Sequence, residues 1–380
     1  MAEAKRVLVF STAYLPLIGG AELAVHELAK RLPEFKFEVV TARLRPDLPA
    51  QETVGAVTVH RIGRGRRSDK FLLPIIGRSL VRQLMAKQPA AIFWSIMASQ
   101  ASILATWAKR RYPQIPLVLT LQEGDTEDHL KRYVGGSGFL YRWLVRPWHL
   151  GVFERANHIT AISRDLLNRA RSHRSTVPLT LIPNGVDLDH FRWRSPAELP
   201  KKETKTIITT SRLVEKNGLF DLIAALSFLP PNVELKIFGT GPDESRLRDW
   251  AEERGVIGRV HFAGQADHHR IALELARADV FVRPSLSEGL GNSFLEAMAV
   301  GVPVIGTPVG GIPDFLRPGE TGWSCRVHDP ESIAQAVSLV LAPENQDRVL
   351  AVAQAARRLV EERFDWTVLA QSLSLVFKSL

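Results

Sequence analysis

The sequence contains very little cysteine: a single residue, Cys325, in 380. One cysteine cannot form an internal disulfide bond, and Cys325 has no neighbours at metal-ligand spacing. A disulfide framework and a thiolate metal site are therefore excluded as organising features of this chain. Because nothing in the composition requires an oxidising compartment, we expect a cytoplasmic protein.

We interpret the start of the sequence as a first strand and not as a secretion peptide. The first ten residues, MAEAKRVLVF, pass from polar residues into a short apolar run without a cleavage signal, as expected of a first strand. The longest uncharged stretch, residues 90–108, approaches a membrane span in length but is interrupted by polar residues such as Ser95, Gln100 and Thr106. We interpret this stretch as a buried strand followed by a helix.

The remaining composition is typical of a globular protein. Hydrophobic residues make up 45% of the chain and charged residues 23%, and 380 residues favour two domains. Residues 1–190 hold 27 basic and 16 acidic residues, a net charge of +11, whereas residues 191–380 hold 22 and 24, a net charge of −2. The basic half predicts contact with an anionic surface, or else a solvated basic face, and no nucleic-acid motif accompanies it.

Short β-rich runs alternate with amphipathic stretches in both halves. RVLVF, FEVVTA and PLVLTL are examples from the first half, and TIITTS, VELKIFG and DVFVRPS from the second. Buried parallel strands are continuous apolar runs joined by crossover helices. We therefore predict an α/β fold of two doubly wound, Rossmann-like domains, residues 1–190 and 191–364, that face each other across a cleft. Residues 365–380 form a helix expected to pack back across both domains.

Ligands of such sheets bind beyond the carboxyl ends of the strands, so the loops there are candidates for function. Gly19 and Gly20 follow the first strand and precede a helix, which suits either close approach to a phosphate or sugar, or a tight turn. Arg212 and Lys216 follow the first strand of the second half. They are either two phosphate-binding cations or two solvated surface residues.

The most informative stretch is PSLSEGLGNSFLEAMAVGVPVIGTPVGG, residues 284–311. It predicts a strand, a glycine-rich loop and a helix, with the backbone N–H groups of Leu290, Gly291 and Asn292 forming an anion cradle. Glu296 matches a capping box beginning at Ser293, which is a structural alternative to ligand binding. For Glu288 no comparable structural role is evident. The two carboxylates are suited to accept hydrogen bonds from sugar hydroxyl pairs.

These motifs, with SRLVEKNG, LIPNGVD and the glycine pair, resemble glycosyltransferase family 4 over nearly the whole chain. The resemblance implies a GT-B fold and a retaining hexosyltransferase that uses a nucleoside-diphosphate sugar as donor. By position, Glu288 is expected to contact the donor hexose and Glu296 the ribose, while Arg212 and Lys216 stabilise the diphosphate. The remaining donor-binding residues implied by the resemblance are Gly20, Gln265, Leu290, Gly291 and Asn292.

The resemblance also implies a metal-independent reaction, in which cationic side chains and a helix start stabilise the leaving diphosphate. Family members often have a histidine after the strand that here reads LVLTLQEGD. This chain has Gln122, which we expect to hydrogen-bond the hexose, and then Glu123 and Asp125, which either face the acceptor or belong to a polar loop. The acidic pair Asp187 and Asp189 resembles a metal motif of a different fold, but it follows a PNG turn.

We expect the acceptor to be a lipid or glycan of the cell envelope. The alternative is a catalytically silent GT-B protein that is a membrane-associated partner of other glycosyltransferases; the intact motif favours the enzyme.

A basic and apolar segment in the first half predicts peripheral binding to the inner face of the plasma membrane. The cluster begins at Arg61 and continues through Arg64, Arg66, Arg67 and Lys70. The stretch Phe71 to Lys87, read as a helix, would present one apolar face of Leu72, Ile75, Ile76, Leu80 and Leu84, with Arg78 and Arg82 at its flank. The alternative is that this face packs on the domain's own sheet.

Overall fold

The computed structural model describes residues 4–17, 19–122, 139, 146–173, 176–194 and 203–380. It divides into two units, the first comprising residues 1–184 and 366–380 and the second residues 185–365. The last helix thus belongs to the first unit. Among the described residues, every helix is either too short or too polar to cross a bilayer.

The first unit is built on a sheet of eight strands. In chain order they are β1 Lys5–Phe10, β2 Phe35–Ala42, β3 Gln51–Val54, β4 Val57–Ile62, β5 Ile92–Ile96, β6 Leu117–Leu121, β7 His158–Ala161 and β8 Leu179–Leu181. Their spatial order is β3-β4-β2-β1-β5-β6-β7-β8. All neighbours are parallel except β3, which pairs antiparallel with β4 at the edge. The apolar pattern of the sequence did not predict β3 and β8, because both are short and only partly buried.

Within the described ranges, six helices accompany this sheet. They are α1 Gly20–Arg31, α2 Asp69–Lys87, α3 Gln100–Arg111, α4 Arg146–Arg155, α5 Arg164–His173 and, at the end of the chain, α12 Trp366–Lys378. The strand and helix predicted within residues 90–108 are confirmed as β5 and α3. Helix α12 packs beside α1, where the Phe377 ring lies 5.3 Å from Phe35 and 5.5 Å from Trp94. The carboxyl-terminal helix therefore completes the core of the first unit.

The structure confirms the predicted helix as α2, but it corrects two details of the predicted basic and apolar segment. Leu84 is buried and packs inward, so it does not share a face with the exposed Leu72, Ile75 and Ile76. Arg61 is also buried, and its guanidinium pairs with the Glu52 carboxylate at 2.5 Å. Arg61 is therefore part of the fold of this unit and not of an exposed basic cluster.

The second unit is built on a sheet of six parallel strands. They are β9 Lys205–Thr210, β10 Val233–Phe238, β11 Val260–Gly264, β12 Val280–Arg283, β13 Val304–Gly306 and β14 Trp323–Ser324, in the spatial order β11-β10-β9-β12-β13-β14. Its helices are α6 Leu219–Ala225, α7 Glu244–Glu253, α8 His268–Leu275, α9 Asn292–Val300, α10 Pro330–Leu341 and α11 Gln346–Arg363. The predicted α/β fold with two parallel-sheet units is confirmed.

The order of the second sheet decides which loops meet. Strand β9 lies between β10 and β12, so the loops after these three strands emerge side by side at the carboxyl edge. This is the edge at which ligands bind in parallel α/β sheets. Arg212 and Lys216 follow β9, Glu288 and Glu296 follow β12, and Gln265 follows β11 directly.

Candidate active site

The loops after β9 and β12 are held in contact by their backbones. Leu286 N–H donates to the Lys216 carbonyl at 2.7 Å. Gly218 ends the short turn Glu215–Asn217 with a φ of +69°, and a Cβ atom there would overlap the Pro284 carbonyl. Only glycine combines this left-handed conformation with so close an approach. The loop bearing the two predicted cations is thereby fixed against the loop bearing the two glutamates.

A cavity of about 410 Å³ opens at this edge of the second unit. It is lined by three of the predicted site residues, Arg212, Gln265 and Glu296. Its remaining walls include Thr210, Ser211, Phe238, Gly239, His268 and Ile271. Residues 84 positions apart in the chain are brought to one cavity because β9 and β11 flank β10, and because α9 begins at the same edge.

Helix α9 does not begin as predicted. Its N-cap is Gly291, with a φ of +99°, so Ser293 lies within the first turn and cannot be the first residue of a capping box. The Ser293 hydroxyl instead accepts a hydrogen bond from Arg283 Nη1 at 2.7 Å. The capping role considered for Glu296 is therefore excluded. Its side chain faces the cavity instead.

Burial raises the pKa of Glu296 to about 7, although the charge of Arg283 opposes this shift. Within the part of the chain that the structure describes, the Glu296 carboxyl group has no hydrogen-bond donor. A carboxyl group beside a cavity, desolvated and without a donor, is suited to accept hydrogen bonds from a ligand.

Glu288 has a structural partner that the sequence did not reveal. Its carboxylate pairs with the buried guanidinium of Arg283. Arg283 also donates to Ser293 Oγ and, at 3.3 Å, to the Thr210 carbonyl. The expectation that Glu288 lacks a structural role is wrong, since it is the counter-charge of an arginine that joins β9, β12 and α9.

Arg283 was not among the residues predicted from the sequence, although a signal was present. It ends the otherwise apolar strand Val280–Arg283, where a charged residue requires a partner. Two hydroxyl groups were not predicted either. Thr210 Oγ1 and Ser211 Oγ are buried in the cavity wall and have no hydrogen-bond partner among the described residues. They add polar groups for a ligand beside Arg212.

The other predicted donor-binding residues lie in the same loop and helix start. Leu290 is buried, Gly291 caps α9, and Asn292 is its first residue. The first turn of any α-helix leaves backbone N–H groups without intrahelical acceptors and carries a partial positive charge. Arg212 and Lys216 are exposed in the neighbouring loop. Positive charge and N–H donors thus border the region next to the cavity.

In the first unit, Gly20 is the first residue of α1, and Gly19 is its N-cap in an extended conformation. A φ of −133° at Gly19 is accessible to any residue, so no left-handed turn requires a glycine there. Glu22 lies over this helix start, and its carboxylate is 2.6 Å from the position that a Cβ atom of Gly19 would occupy. Burial raises the Glu22 pKa, while hydrogen bonds from its own N–H and that of Gly19 lower it.

Gln122 follows β6 and forms two hydrogen bonds with Asn184. Its Nε2 donates to Asn184 Oδ1 at 3.0 Å, and Asn184 Nδ2 donates to Gln122 Oε1 at 2.9 Å. Glu123 and Asp125 lie outside the described residues. The pair Asp187 and Asp189 forms a local turn, since Asp187 Oδ1 accepts the N–H of Asp189 at 3.1 Å. In the described ranges no group of three histidine, cysteine or acidic side chains could hold a metal ion.

Comparison with known proteins identifies related sequences along the chain. Residues 18–190 match the family described as Glycosyltransferase Family 4, and residues 191–358 match the family described as Glycosyl transferases group 1. A glycogen synthase of Mycobacterium tuberculosis is 34% identical over 98% of this chain and 94% of its own. A GDP-mannose-dependent alpha-(1-6)-phosphatidylinositol monomannoside mannosyltransferase of the same organism is 35% identical over 97% of both chains.

Solved structures share the fold at lower identity. Sucrose-phosphate synthase of Thermosynechococcus elongatus superposes with a TM-score of 0.82 and 21% identity, covering 99% of this chain and 98% of its own. HepE of Anabaena, solved in complex with UDP and glucose, gives a TM-score of 0.76 and 19% identity, covering 99% of this chain and all of its own.

Proposed function

Because the chain belongs to glycosyltransferase family 4, we propose that it transfers a hexose from a nucleoside-diphosphate sugar to a lipid or glycan acceptor of the cell envelope, with retention of anomeric configuration. The observation that carries this proposal is the cavity of about 410 Å³ that joins Arg212, Gln265 and Glu296 in the second unit. Its size lies within the range of about 300–1,000 Å³ that is typical of small-molecule sites.

We assign the nucleoside to this cavity. The carboxylate of Glu296 accepts hydrogen bonds from the ribose hydroxyls, and Gln265, after β11, lies near the base. The diphosphate is then held by Arg212 and Lys216 together with the backbone N–H groups at the start of α9. A guanidinium binds phosphate in two-point geometry, and each charge-assisted hydrogen bond contributes about 1.5–3 kcal/mol. HepE, with the same fold, was solved with UDP and glucose, which agrees with this assignment.

The proposed chemistry begins as the bond between the sugar and the diphosphate breaks. Positive charge develops on the sugar ring and negative charge on the departing phosphate, which Arg212, Lys216 and the helix start stabilise. The acceptor hydroxyl attacks from the face that the phosphate leaves, and a phosphate oxygen takes its proton, so the configuration is retained. Side-chain cations supply the positive charge in this scheme, and no metal ion takes part.

The names of two relatives support a class of acceptor, and two residues of the first unit are assigned to the acceptor side. One relative is a glycogen synthase, and the other is a mannosyltransferase for phosphatidylinositol monomannoside. A glycan or a glycolipid therefore suits this chain. We assign Gly20 to the diphosphate, Glu288 and Gln122 to the donor hexose, and Glu123 and Asp125 to the acceptor side.

Calorimetric titration with UDP, GDP and ADP, followed by donor hydrolysis assays with the matching sugars, tests the proposal. We expect one base to bind best, and we expect Arg212→Ala to weaken its binding by at least tenfold. Arg358→Ala, which removes an exposed arginine of the same unit away from the cavity, is the matched control.

The anomeric configuration of the product, read by NMR, tests retention separately. Binding without turnover of any donor, in the presence of lipid and glycan acceptors, would instead favour a silent partner protein. Failure of all three nucleotides to bind would refute the assignment of the nucleoside to the cavity.

A further inference from the structure

Helix α2 exposes a cluster of large apolar side chains at its amino-terminal end. Phe71 is 53% exposed, Leu72 47%, Ile75 64% and Ile76 43%, and together they form what we call the apolar patch. Residues three and four positions apart are neighbours on a helix surface. Ile75 is thus a neighbour of both Phe71 and Leu72, and Leu72 is a neighbour of Ile76, so the four side chains are contiguous. Single exposed apolar residues are ordinary, whereas contiguous exposed apolar groups are candidates for interaction sites.

The apolar patch is not the face by which α2 packs on its own unit. Leu73, Gly77, Val81 and Leu84 are buried toward α3 and the sheet, and a Cβ atom at Gly77 would press on the Leu104 side chain. At 3.6 residues per turn, the buried residues lie on the side of the helix about opposite the patch. The first two turns of α2 are thus apolar on two opposite sides, and the unit covers only one of them.

Basic side chains lie directly beside the apolar patch. Arg64, Arg66 and Arg67 are exposed in the turn that leads into α2, and we call them the basic turn. None of the three forms an ion pair with another described residue. Between residues 53 and 122 the sequence contains one acidic residue, Asp69, and it is buried. Along this part of the described chain basic residues therefore outnumber acidic ones.

The geometry of the basic turn is fixed by Asp69. Its Oδ2 accepts the backbone N–H groups of Arg64, Gly65 and Arg66 at 2.7, 2.8 and 2.9 Å. These bonds, led by that from Arg66, lower the Asp69 pKa against the opposing effect of burial. Asp69 is also the first residue of α2, so one carboxylate ties the arginines to the turn of helix that presents Phe71 and Leu72. The charged and apolar groups are held together before any partner binds.

We propose that the basic turn and the apolar patch form a docking surface for an anionic lipid bilayer. The apolar side chains enter the boundary between headgroups and acyl chains, while the arginines contact the lipid phosphates. A bilayer fits this surface better than an anionic protein does, because the basic turn adjoins the apolar patch in the same way that the anionic headgroups of a membrane adjoin its acyl chains. The inference is independent of the nucleotide-sugar site and explains how a lipid-linked acceptor could be reached.

Flotation of the full chain with vesicles tests the proposal. We expect binding to phosphatidylcholine vesicles that contain phosphatidylglycerol, weaker binding to pure phosphatidylcholine, and loss of binding as salt is raised. Arg66→Ser with Arg67→Ser should lower the vesicle affinity about 30-fold, at about 1 kcal/mol per basic residue and a tenfold change per 1.4 kcal/mol. Ile75→Ser with Ile76→Ser should lower it at least tenfold.

Matched controls keep the net charge and the exposed apolar area comparable. Arg110→Ser with Arg111→Ser removes two exposed arginines at the far end of α3, and Val368→Ser with Leu375→Ser removes two exposed apolar residues of α12. All variants should retain the wild-type circular dichroism spectrum and nucleotide affinity. The proposal is overturned if the protein does not float at low salt, or if control and patch variants lose binding equally. It is also overturned if light scattering shows a dimer that Ile75→Ser dissociates, because the patch would then bind a second copy.

Discussion

Each unit contains an arginine that is buried against a carboxylate, but the two pairs lie at opposite ends of their strands. Arg6 is near the amino end of β1 and donates to Glu38 through Nε at 2.8 Å and Nη2 at 2.9 Å. It also bonds the carbonyls of Leu84 and Gln88 at the end of α2. Arg283 is at the carboxyl end of β12, beside Glu288 and close to the cavity. The first pair joins elements of the fold, whereas the second joins elements of the fold and lies close to the cavity of the second unit.

The carboxyl groups near these arginines show opposite shifts of pKa. Burial by itself would raise the pKa of Glu38, but hydrogen bonds from His60 and Arg6 lower it to about 2. Burial raises the pKa of Glu296 to about 7; the charge of Arg283 opposes this shift, but Arg283 donates no hydrogen bond to Glu296. A buried carboxylate with all its donors is a structural group, and one without donors is available to a ligand.

Removing each arginine should produce the largest effects and separates the two roles. Arg6→Met leaves the buried Glu38 carboxylate with His60 as its remaining partner. Arg283→Met removes the guanidinium that pairs with the partly buried Glu288 carboxylate. We expect each change to lower the free energy of unfolding by about 3 kcal/mol in urea titrations. Only Arg283→Met should also weaken nucleotide binding to the folded protein. Equal nucleotide affinities for both variants would show that the position of the arginine, at the amino or the carboxyl end of its strand, does not affect nucleotide binding.

The close approach of the two loops at the carboxyl edge should be the next most sensitive feature. Gly218→Ala strains a left-handed residue at about 1–3 kcal/mol and also overlaps the Pro284 carbonyl, so it should destabilise the fold and weaken nucleotide binding. Gly255→Ala is the control, since Gly255 has a φ of +66° and no atom lies within 4 Å of the position that its Cβ would occupy. Thermal denaturation of both variants measures how much the overlap with the Pro284 carbonyl contributes. An equal loss of thermal stability in both variants would show that the overlap contributes nothing.

Glu296 and Glu288 should differ in kinetics. Glu296→Gln keeps the shape but removes the charge to which we assign the ribose hydroxyls, so we expect KM for the donor to rise between about tenfold and about hundredfold. Glu288→Gln should mainly lower kcat, because contacts to the hexose strengthen as the bond breaks. Steady-state assays decide the matter: small and equal effects of both changes would contradict the assigned roles.

The opposite pKa shifts predict opposite responses to pH. Glu38, with a lowered pKa, adds stability above about pH 4.5 that is lost as the pH falls through about 2. Glu296, with a raised pKa, binds more protons when folded, so its contribution to stability falls as the pH rises from about 4.5 to about 7.

Ligand binding should follow the ionisation of Glu296. We expect affinity for a nucleotide sugar to rise about tenfold between about pH 6 and about pH 8, as the carboxylate forms. Calorimetry with Glu296→Gln, which cannot ionise, should show a flat profile. A wild-type profile that is equally flat would refute the link between the raised pKa and ribose binding.

The smallest expected effect is that of metal removal. Because Arg212, Lys216 and the start of α9 supply the positive charge in the proposed reaction, turnover should be unchanged by EDTA. Loss of turnover that Mg²⁺ or Mn²⁺ restores would contradict this and return attention to Asp187 and Asp189. Arg212→Ala provides the comparison, as it should lower turnover in the presence and absence of EDTA.

The sequence predicted much of this protein because periodicity and loop chemistry are local. The apolar run Val7–Phe10 and the alternation of strands with helices indicated two parallel sheets, and a strand end indicated Arg212 as a site candidate. The glycine-rich loop and helix that follow Pro284 indicated Glu296, whereas Gln265 was implied by the resemblance to the family. Apart from Gln265, these features depend on neighbours along the chain, so spacing alone reveals them.

Tertiary structure decided which partner each charged side chain has. Glu288 pairs with Arg283, Ser293 accepts from Arg283 and does not cap α9, and Arg61 is buried beside Glu52. In each case the partner lies on a neighbouring strand or on the loop or helix that follows the strand, so the contact depends on how the chain turns back in three dimensions. Tertiary structure also decided which side of α2 is exposed. The first turns of this helix are apolar on both sides, and because α3 and the sheet pack against one of them, Phe71 and Ile75 are exposed on the other.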